Sequence, residues 1–285
     1  MTIRRVLIAF LLVAAYAFGA FSHQNEIFPT PQIEAFVRRN LWHFREERGF
    51  KDTTGRKEVD CAQFNQPGSA ILLTLGQSNA ANESEPGFQP GEGVYNFSFF
   101  DGRCYIARDP LLGTTGEEGS VWSRLADELV RSGRFQRVLI APIAVGGSRV
   151  RAWTPSGAHF SRIVSVQKAL ASRGLKATHV LWHQGESDAK WTTQEEYIDM
   201  FGQMLEGMRG EGIEAPVYVA VASACGHGGS DAIRAAQREI PHKFADTRPG
   251  PNTDEIDRLR WRRDGCHFSA EGLKVHAEAW AAVLK

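Results

Sequence analysis

The chain has 285 residues, 42% of them hydrophobic, which is enough for a full core in one large α/β domain or two small ones. Lysine plus arginine and aspartate plus glutamate both number 33, so the formal net charge is zero. With neither an excess of positive charge nor a basic stripe interleaved with aromatic residues, the sequence argues against nucleic acid as a partner.

An export signal is expected at the N-terminus. Arg4 and Arg5 precede an uncharged apolar run over residues 6–21. This layout is typical of a secretory signal, and the run is somewhat shorter than the roughly 20 residues that span a bilayer. We expect residues 1–24 to be a signal peptide or an uncleaved anchor that attaches the protein to a membrane. Either interpretation places the rest of the chain outside the cytoplasm, in the periplasm or secreted.

Residues 25–68 are interpreted as an N-terminal packing arm, with a helix over 31–48 where apolar residues recur at helical spacing. The main domain is expected over 69–285. Its first strand is predicted over 70–75, an apolar run that stops at a glycine and turns polar. Residues 79–119 follow, rich in Gly, Pro, Asn and aromatic residues. A connection this long predicts a wall or lid over a site, or else a surface excursion held by a disulfide.

Strands and helices alternate regularly after residue 119. Further strands are predicted over 137–145, 178–182, 217–222 and 243–247. Helices are predicted over 121–131, 160–171, 193–208, 231–239 and 270–284. Alternation of this kind predicts a single-domain, three-layer α/β/α sandwich around a mostly parallel sheet.

Four cysteines are present, Cys61, Cys104, Cys225 and Cys266, an even number in a chain expected to reach an oxidising compartment. No two of them have CxxC spacing, which argues against a zinc or redox motif. Three pairings are possible. We favour Cys61–Cys104, which brackets the segment after the first strand, and Cys225–Cys266, which ties two late loops together. The alternative is four separate buried thiols.

Ser78 lies just after the first strand, and ligands bind at the carboxyl ends of strands in open α/β sheets. A lone serine at such a place is as often a turn or cap residue. Asp264 and His267, three residues apart before the last helix, change that balance. A carboxylate there can hold the imidazole in one tautomer, and a serine needs such a base to become a nucleophile. The order Ser, Asp, His is one that catalytic triads use.

Four short blocks occur in a telling order. They are Gly76-Gln77-Ser78-Asn79, residues 144–148 with Trp153, residues 182–188, and the pair Asp264 and His267. The first block lacks a glycine two residues after the serine, so it is not the GxSxG elbow. Together the blocks resemble those of the SGNH (GDSL-like) hydrolases, specifically the sialate O-acetylesterase and acetylxylan esterase branch of the carbohydrate esterases. The resemblance covers about residues 70–285 and implies their flavodoxin-like fold.

The resemblance implies a serine esterase that removes O-acetyl groups from a carbohydrate through an acetyl-serine intermediate, without a cofactor or a metal. Ser78 would attack the ester, His267 would take and return its proton, and Asp264 would orient His267. The oxyanion would be held by the backbone N–H groups of Ser78 and Gly147 and by the side-chain amide of Gln184. Gln184 stands where many SGNH enzymes have Asn, so this longer amide has to sit further back.

Five more residues are candidates for substrate binding or support of the site. They are Gln77, Asn79, Arg149, Trp153 and Glu186.

Glu186 could support its loop, touch substrate or help to orient His267, and support is favoured. Arg149, Arg151 and Trp153 could line a substrate cleft, although a tryptophan is as often part of the core.

His183 is expected to be packed in the interior, because strand alternation points it away from Gln184. A metal pair of His183 with Glu186 has little support, since no third ligand follows at a telling spacing.

Three other functions stay open at this point. One is an extracytoplasmic polysaccharide O-acetyltransferase, in which a sugar hydroxyl replaces water and which an N-terminal anchor would favour. Another is a lipase or thioesterase, which needs a long acyl channel. The third is a non-catalytic carbohydrate-binding protein, against which the intact Ser78, Asp264 and His267 argue. The sequence leaves the sugar, the oligomeric state and cleavage of the N-terminal segment open.

Overall fold

The computed structural model describes residues 15, 18–19, 49–226 and 228–284. The chain divides into two units, Met1–Glu47 and Arg48–Lys285, and the second unit contains the sheet and the helices that cover it. The expected signal or anchor and the expected helix over 31–48 lie outside the described residues, apart from three positions of the former. Within the described part of the chain, no helix is long and apolar enough to cross a membrane.

Eight strands form one sheet. They are β1 (Glu58–Val59), β2 (Ser69–Gly76), β3 (Val94–Ser98), β4 (Arg103–Ile106), β5 (Arg137–Pro142), β6 (His179–His183), β7 (Val217–Val221) and β8 (Thr247–Asn252). Their order across the sheet is β1-β4-β3-β5-β2-β6-β7-β8. Neighbours from β3 to β8 run parallel, whereas β4 is antiparallel to both β1 and β3. The mostly parallel sheet predicted from the alternating pattern is confirmed.

Five helices cover the two faces of this sheet. They are α1 (Val121–Arg131), α2 (Phe160–Ser172), α3 (Gln194–Gly210), α4 (Asp231–Lys243) and α5 (Ala270–Val283). Side chains alternate along β2, so Leu73 and Leu75 pack with α2, α3 and α4 while Ala70 and Leu72 pack with α1 and α5. The central strand is therefore buried on both sides, and the three-layer α/β/α architecture is confirmed.

The sequence predicts a wall, a lid or a surface excursion over 79–119, but this segment contains two strands of the sheet, β3 and β4. β3 lies beside β5 and extends the parallel sheet. Its apolar pattern is broken by Asn96, which is buried and whose Nδ2 donates to the carbonyls of Phe97, Leu112 and Ile140. A polar residue that lies within a strand and hydrogen-bonds the backbone of neighbouring segments interrupts the apolar run by which a buried strand is recognised in a sequence.

The last strand also differs from its expected position at 243–247. Lys243 ends α4, and β8 runs over Thr247–Asn252 with Pro249 and Gly250 inside it. Proline and glycine normally argue against a strand, but β8 is at the edge of the sheet, where a missing N–H donor is tolerated.

Both favoured disulfides are present, Cys61–Cys104 and Cys225–Cys266. The first ties a 3₁₀ turn, Cys61–Asn65, to β4, and the second ties the loop after β7 to the loop before α5. Their sequence separations are 43 and 41 residues. Loops of this length lose chain entropy worth about 4 kcal/mol when they are closed in the unfolded state.

Candidate active site

The turn that carries Ser78 follows β2, the strand between β5 and β6. Gly76 ends the strand with φ +138°, and a Cβ there would lie 1.9 Å from the carbonyl oxygen of His183 in β6. Only glycine permits this close approach of two strand ends. Ser78 then opens a 3₁₀ turn, Ser78–Ala80, and is 5% exposed. Its position at the carboxyl edge of the sheet is thus set by the backbone of two strands.

Asp264 and His267 contact each other as their spacing predicts. The Asp264 Oδ2 atom is 2.7 Å from His267 Nδ1, and Oδ1 accepts a second bond of 2.7 Å from the His267 backbone N–H. Burial alone would raise the pKa of Asp264, but the hydrogen bonds from His267 and from the Cys266 N–H lower it to about 2. The carboxylate therefore stays ionised and holds the ring through Nδ1, which leaves Nε2 to face the site.

The loop that carries this pair is held by contacts to Cys266, the residue just before His267. Its side chain forms the disulfide with Cys225. Its carbonyl accepts hydrogen bonds from the Arg262 guanidinium and from Asn79 Nδ2, the latter at 3.4 Å. Asn79 is the neighbour of Ser78, so this contact brings the serine turn against the histidine loop.

Within the described residues, no hydrogen bond joins Ser78 to His267. Such bonds are often long in a free enzyme and tighten when substrate binds.

Arg262 was not singled out by the sequence, yet it is one of the main supports of the histidine loop. It is buried, its Nε donates to the Ile256 carbonyl at 2.9 Å, and one Nη donates to the Thr253 carbonyl at 2.8 Å. Its guanidinium lies 3.9 Å from the centroid of the Phe268 ring. Only its buried contacts in the structure reveal this role, because arginines are otherwise common on the surface and no sequence motif marks this one.

The turn Gly146-Gly147-Ser148 after β5 is called the glycine turn, and the turn Ser78–Ala80 is called the serine turn. The two turns lie beside each other. Ser148 Oγ donates to the Gly76 carbonyl at 3.2 Å, and Trp153 Nε1 donates to Ser148 Oγ at 3.0 Å. Gly147 has φ +69°, and a Cβ placed on it would meet nothing within 4 Å. Trp153 is completely buried and packs edge to face on Trp182 at 6.0 Å. It belongs to the core, so the expectation that it lines the cleft differs from the structure.

Gln184 is placed differently from its expected position as an oxyanion donor. It is completely buried, and its Nε2 donates to the Gln77 Oε1 (3.2 Å), the Ser148 carbonyl (3.1 Å) and the Asp188 carboxylate. The two amide hydrogens are thus directed at protein acceptors in this conformation. Gln77 in turn accepts from the backbone N–H of Ser187 at 3.0 Å. Both glutamine side chains tie the β6 loop to the serine and glycine turns.

The Glu186 side chain is buried and contacts Asn79, the residue after Ser78. Its Oε1 accepts a hydrogen bond of 2.8 Å from Asn79 Nδ2 and lies 3.9 Å from His183 Nδ1. His183 is also fully buried, as strand alternation predicts, and shares a 3.0 Å hydrogen bond with Thr253 Oγ1. Burial lowers the pKa of His183. These contacts support the loop and do not orient the His267 ring directly.

Two residues near the site were missed by sequence reasoning. Trp191 is 49% exposed and lies 5.7 Å from the guanidinium of Arg149, the residue after the glycine turn. Glu83 lies five residues after Ser78, and its Oε2 is 3.9 Å from His267 Nε2. Neither belongs to a recognisable motif, since each is identified only by what it faces in three dimensions.

No group of three or more His, Cys, Asp or Glu side chains among the described residues is arranged to hold a metal ion. The groups that the site brings together are the hydroxyl of Ser78, the imidazole of His267 held by Asp264, and the glycine turn after β5.

A family model described as carbohydrate esterase, sialic acid-specific acetylesterase matches residues 107–284, which is more than half of the chain. The matched region contains the Asp264 and His267 pair and the glycine turn. Ser78 lies before it. A search among curated proteins found none that matches the sequence.

Several solved structures share the fold. A protein from Arabidopsis thaliana is 20% identical with a TM-score of 0.60, over 76% of this chain and 97% of that one. NanS is 17% identical with a TM-score of 0.52, over 76% and 96% of the two chains. A carbohydrate acetylesterase from Xanthomonas citri is 16% identical with a TM-score of 0.51, over 75% of this chain and 55% of that one. At these identities, the likeness concerns the fold alone.

Proposed function

The chain belongs to the family of carbohydrate esterases described as sialic acid-specific acetylesterases, and we propose that it removes O-acetyl groups from a carbohydrate with Ser78 as nucleophile. The observation that carries the proposal is the Asp264–His267 contact of 2.7 Å on a loop that touches the serine turn. A serine becomes nucleophilic only beside a base, and a base held by a carboxylate is the arrangement that serine hydrolases share.

In the first half of the reaction, Ser78 Oγ attacks the acetyl carbonyl carbon and its proton passes to His267 Nε2. The tetrahedral intermediate collapses, the bond between the acetyl carbon and the sugar oxygen breaks, and His267 returns the proton to that oxygen. The sugar leaves with a free hydroxyl, and Ser78 carries the acetyl group. In the second half, water attacks the acetyl-serine with His267 as base, and acetate leaves as Ser78 regains its proton.

The oxyanion of both intermediates is proposed to lie against backbone donors, the N–H groups of Ser78 and Gly147. The positive φ of Gly147 and the open space around it support this assignment. Loss of one such donor typically costs about a hundred- to a thousandfold in rate. Gln184, which the resemblance assigns as a third donor, is better supported as the brace that holds the Ser148 carbonyl and Gln77 in place.

Asp264 is proposed to stabilise the imidazolium that forms when His267 takes the serine proton. Its pKa of about 2 means that it is ionised throughout the neutral range and does not itself take the proton. A carboxylate that orients a catalytic histidine is expected to stay ionised in this way.

Two disulfides and membership of a carbohydrate esterase family indicate an extracellular protein. We propose that residues 1–24 direct its export, and that an uncleaved segment would anchor it.

The proposal is tested by hydrolysis of p-nitrophenyl esters of increasing chain length, by the wild-type protein and by Ser78→Ala. We expect turnover of the acetate, a steep fall with longer chains and no activity above background in Ser78→Ala. Acetylated xylan and acetylated sialic acid then identify the class of sugar. Preference for long acyl chains would replace the deacetylase with a lipase or thioesterase, and unchanged activity in Ser78→Ala would remove Ser78 as nucleophile.

A further inference from the structure

The side-chain amide of Asn79 joins three loops of the candidate site. Its Nδ2 donates a hydrogen bond of 2.8 Å to Glu186 Oε1 and one of 3.4 Å to the Cys266 carbonyl. Asn79 and the Glu186 side chain are both buried. Asn79 adjoins Ser78, and Cys266 adjoins His267. One amide therefore links the immediate neighbours of the two residues that would exchange a proton.

The orientation of this amide is set by Glu186. A carboxylate only accepts hydrogen bonds, so it has to face the nitrogen end of the amide, whose second hydrogen is then available for the Cys266 carbonyl. The reversed amide would turn its oxygen towards both acceptors and repel them. A hydrogen bond to a charged acceptor is about twice as strong as one between neutral groups, so the bond to Glu186 controls the longer bond to Cys266.

Glu186 is not explained by the stability of the fold. Among the described residues, its second oxygen, Oε2, has no hydrogen-bond partner. Burying a carboxylate oxygen without a donor costs free energy of folding. The nearest support comes from Arg262, whose guanidinium donates to the same Cys266 carbonyl. Burial lowers the pKa of Arg262, and the charge of Glu186 opposes this shift. The contribution that Glu186 makes clearly is the orientation of Asn79.

We propose that Asn79 is a positioning residue for the reaction, and that Glu186 acts through it. By holding the serine turn against the histidine loop, the amide sets the distance over which Ser78 Oγ passes its proton to His267 Nε2. This inference rests on the proposed esterase function, because it concerns the geometry of the same reaction.

The size of the effect follows from the demands of proton transfer. The donor and the acceptor have to approach to about 2.6–3.2 Å. A misplacement of about 1 Å, caused by a change away from the reacting atoms, can cost about a hundredfold in rate. Because His267 moves a proton in both halves of the reaction, such a misplacement should lower kcat and leave KM nearly unchanged.

The test compares four variants with the wild type in hydrolysis of p-nitrophenyl acetate and in urea denaturation. They are Asn79→Ala, Glu186→Gln, the double variant and Thr247→Ala. Thr247 is the matched control, because it is buried and its Oγ1 bonds two backbone carbonyls, those of Ile240 and Phe244, at the opposite edge of the sheet. If Asn79→Ala does not fold, the double variant, which lacks the buried charge, is held to the same limits.

We expect Asn79→Ala to lower kcat about ten- to a hundredfold, with KM within about twofold of the wild type. Glu186→Gln should lower kcat about two- to tenfold, because a neutral acceptor holds the amide less firmly. Since Glu186 acts through Asn79, the double variant should lose no more than Asn79→Ala alone. Thr247→Ala should lose stability and keep its kcat.

Three results would overturn the proposal while the wild type remains an active esterase. They are a kcat within about threefold of the wild type in Asn79→Ala, losses that add in the double variant, and an equal fall in kcat in Thr247→Ala. Absence of p-nitrophenyl acetate turnover by the wild type would instead remove the esterase function, and the positioning role with it.

Discussion

The two halves of the candidate active site are built in different ways. Ser78 and the glycine turn follow β2 and β5, neighbouring parallel strands near the middle of the sheet, and their positions are set by strand backbone. Asp264 and His267 lie on an irregular loop between β8 and α5. That loop is held by side chains, namely the Cys225–Cys266 disulfide and the Arg262 guanidinium.

This difference predicts two kinds of failure. A strand end is part of the cooperative core, so damage there should first lower the free energy of unfolding. A loop held by a few side chains can lose its exact geometry while the core stays folded, so damage there should first lower kcat.

The largest effect is expected from Asp264→Asn. The amide no longer stabilises the imidazolium and favours the wrong tautomer of His267, so kcat for p-nitrophenyl acetate should fall about 10⁴-fold. Asp257→Asn, an exposed change on the same loop, is the control and should keep full activity. A fall of less than about tenfold in Asp264→Asn would show that the carboxylate has no catalytic role.

Gly76→Ala tests the sheet half. The new Cβ would lie 1.9 Å from a backbone carbonyl of β6, which neither strand can relieve, so unfolding should become easier by about 4 kcal/mol or more. Gly133→Ala is the matched control, because Gly133 also has a positive φ (+72°) but a Cβ there meets nothing within 4 Å. It should cost only about 1 kcal/mol. Urea denaturation measures both, and equal losses would contradict the importance of the β2–β6 approach.

The disulfides allow a direct comparison of the two halves. Replacing either pair of cysteines by serine should cost about 2–4 kcal/mol of stability, since the loops are of similar length. Only loss of Cys225–Cys266 should also lower kcat, by about ten- to a hundredfold, because Cys266 adjoins His267. Urea denaturation and kcat with p-nitrophenyl acetate are measured for both double variants. An equal fall in kcat for the Cys61 and Cys104 variant would show that the disulfide effect is not local.

The smallest effect concerns pH. The pKa of Asp264 is lowered to about 2 in the folded protein, so its hydrogen bonds contribute stability above pH 4 that is lost as pH falls from about 4 to 2. The side chain is 46% exposed, and solvent screening keeps this contribution below about 1 kcal/mol. The stability difference between wild type and Asp264→Asn, measured by urea denaturation, should therefore shrink between pH 5 and pH 2.5. A difference that is constant with pH would mean that the carboxylate is not stabilised in its charged form.

The alternating part of the fold could be predicted from the sequence because buried parallel strands are apolar runs and helices begin at recognisable caps. The capping box of Thr193 with Glu196 is present, and both disulfide pairings were anticipated. β3 and β8 were missed or misplaced because Asn96, Pro249 and Gly250 interrupt their patterns for reasons that lie in neighbouring elements.

The residues of the candidate site likewise fall into those that could be predicted from the sequence and those that could not. Asp264 and His267 could be paired from sequence because they are three residues apart, so their contact is local. The contacts of Arg262 are local too, but they go to backbone carbonyls that no motif marks, whereas Glu83 meets His267 from far along the chain. The orientation of Gln184 also follows from its surroundings, where Gln77, Ser148 and Asp188 supply acceptors for its amide.

The most direct test of the central claim is covalent labelling of the nucleophile. The protein is incubated with a p-nitrophenyl phosphonate, and the modified residue is located by peptide mass spectrometry in the wild type, Ser78→Ala and His267→Ala. We expect one label per chain, on Ser78, with loss of activity in proportion, no label in Ser78→Ala and much slower labelling in His267→Ala. A label on another residue, or full activity in a protein labelled at Ser78, would contradict it.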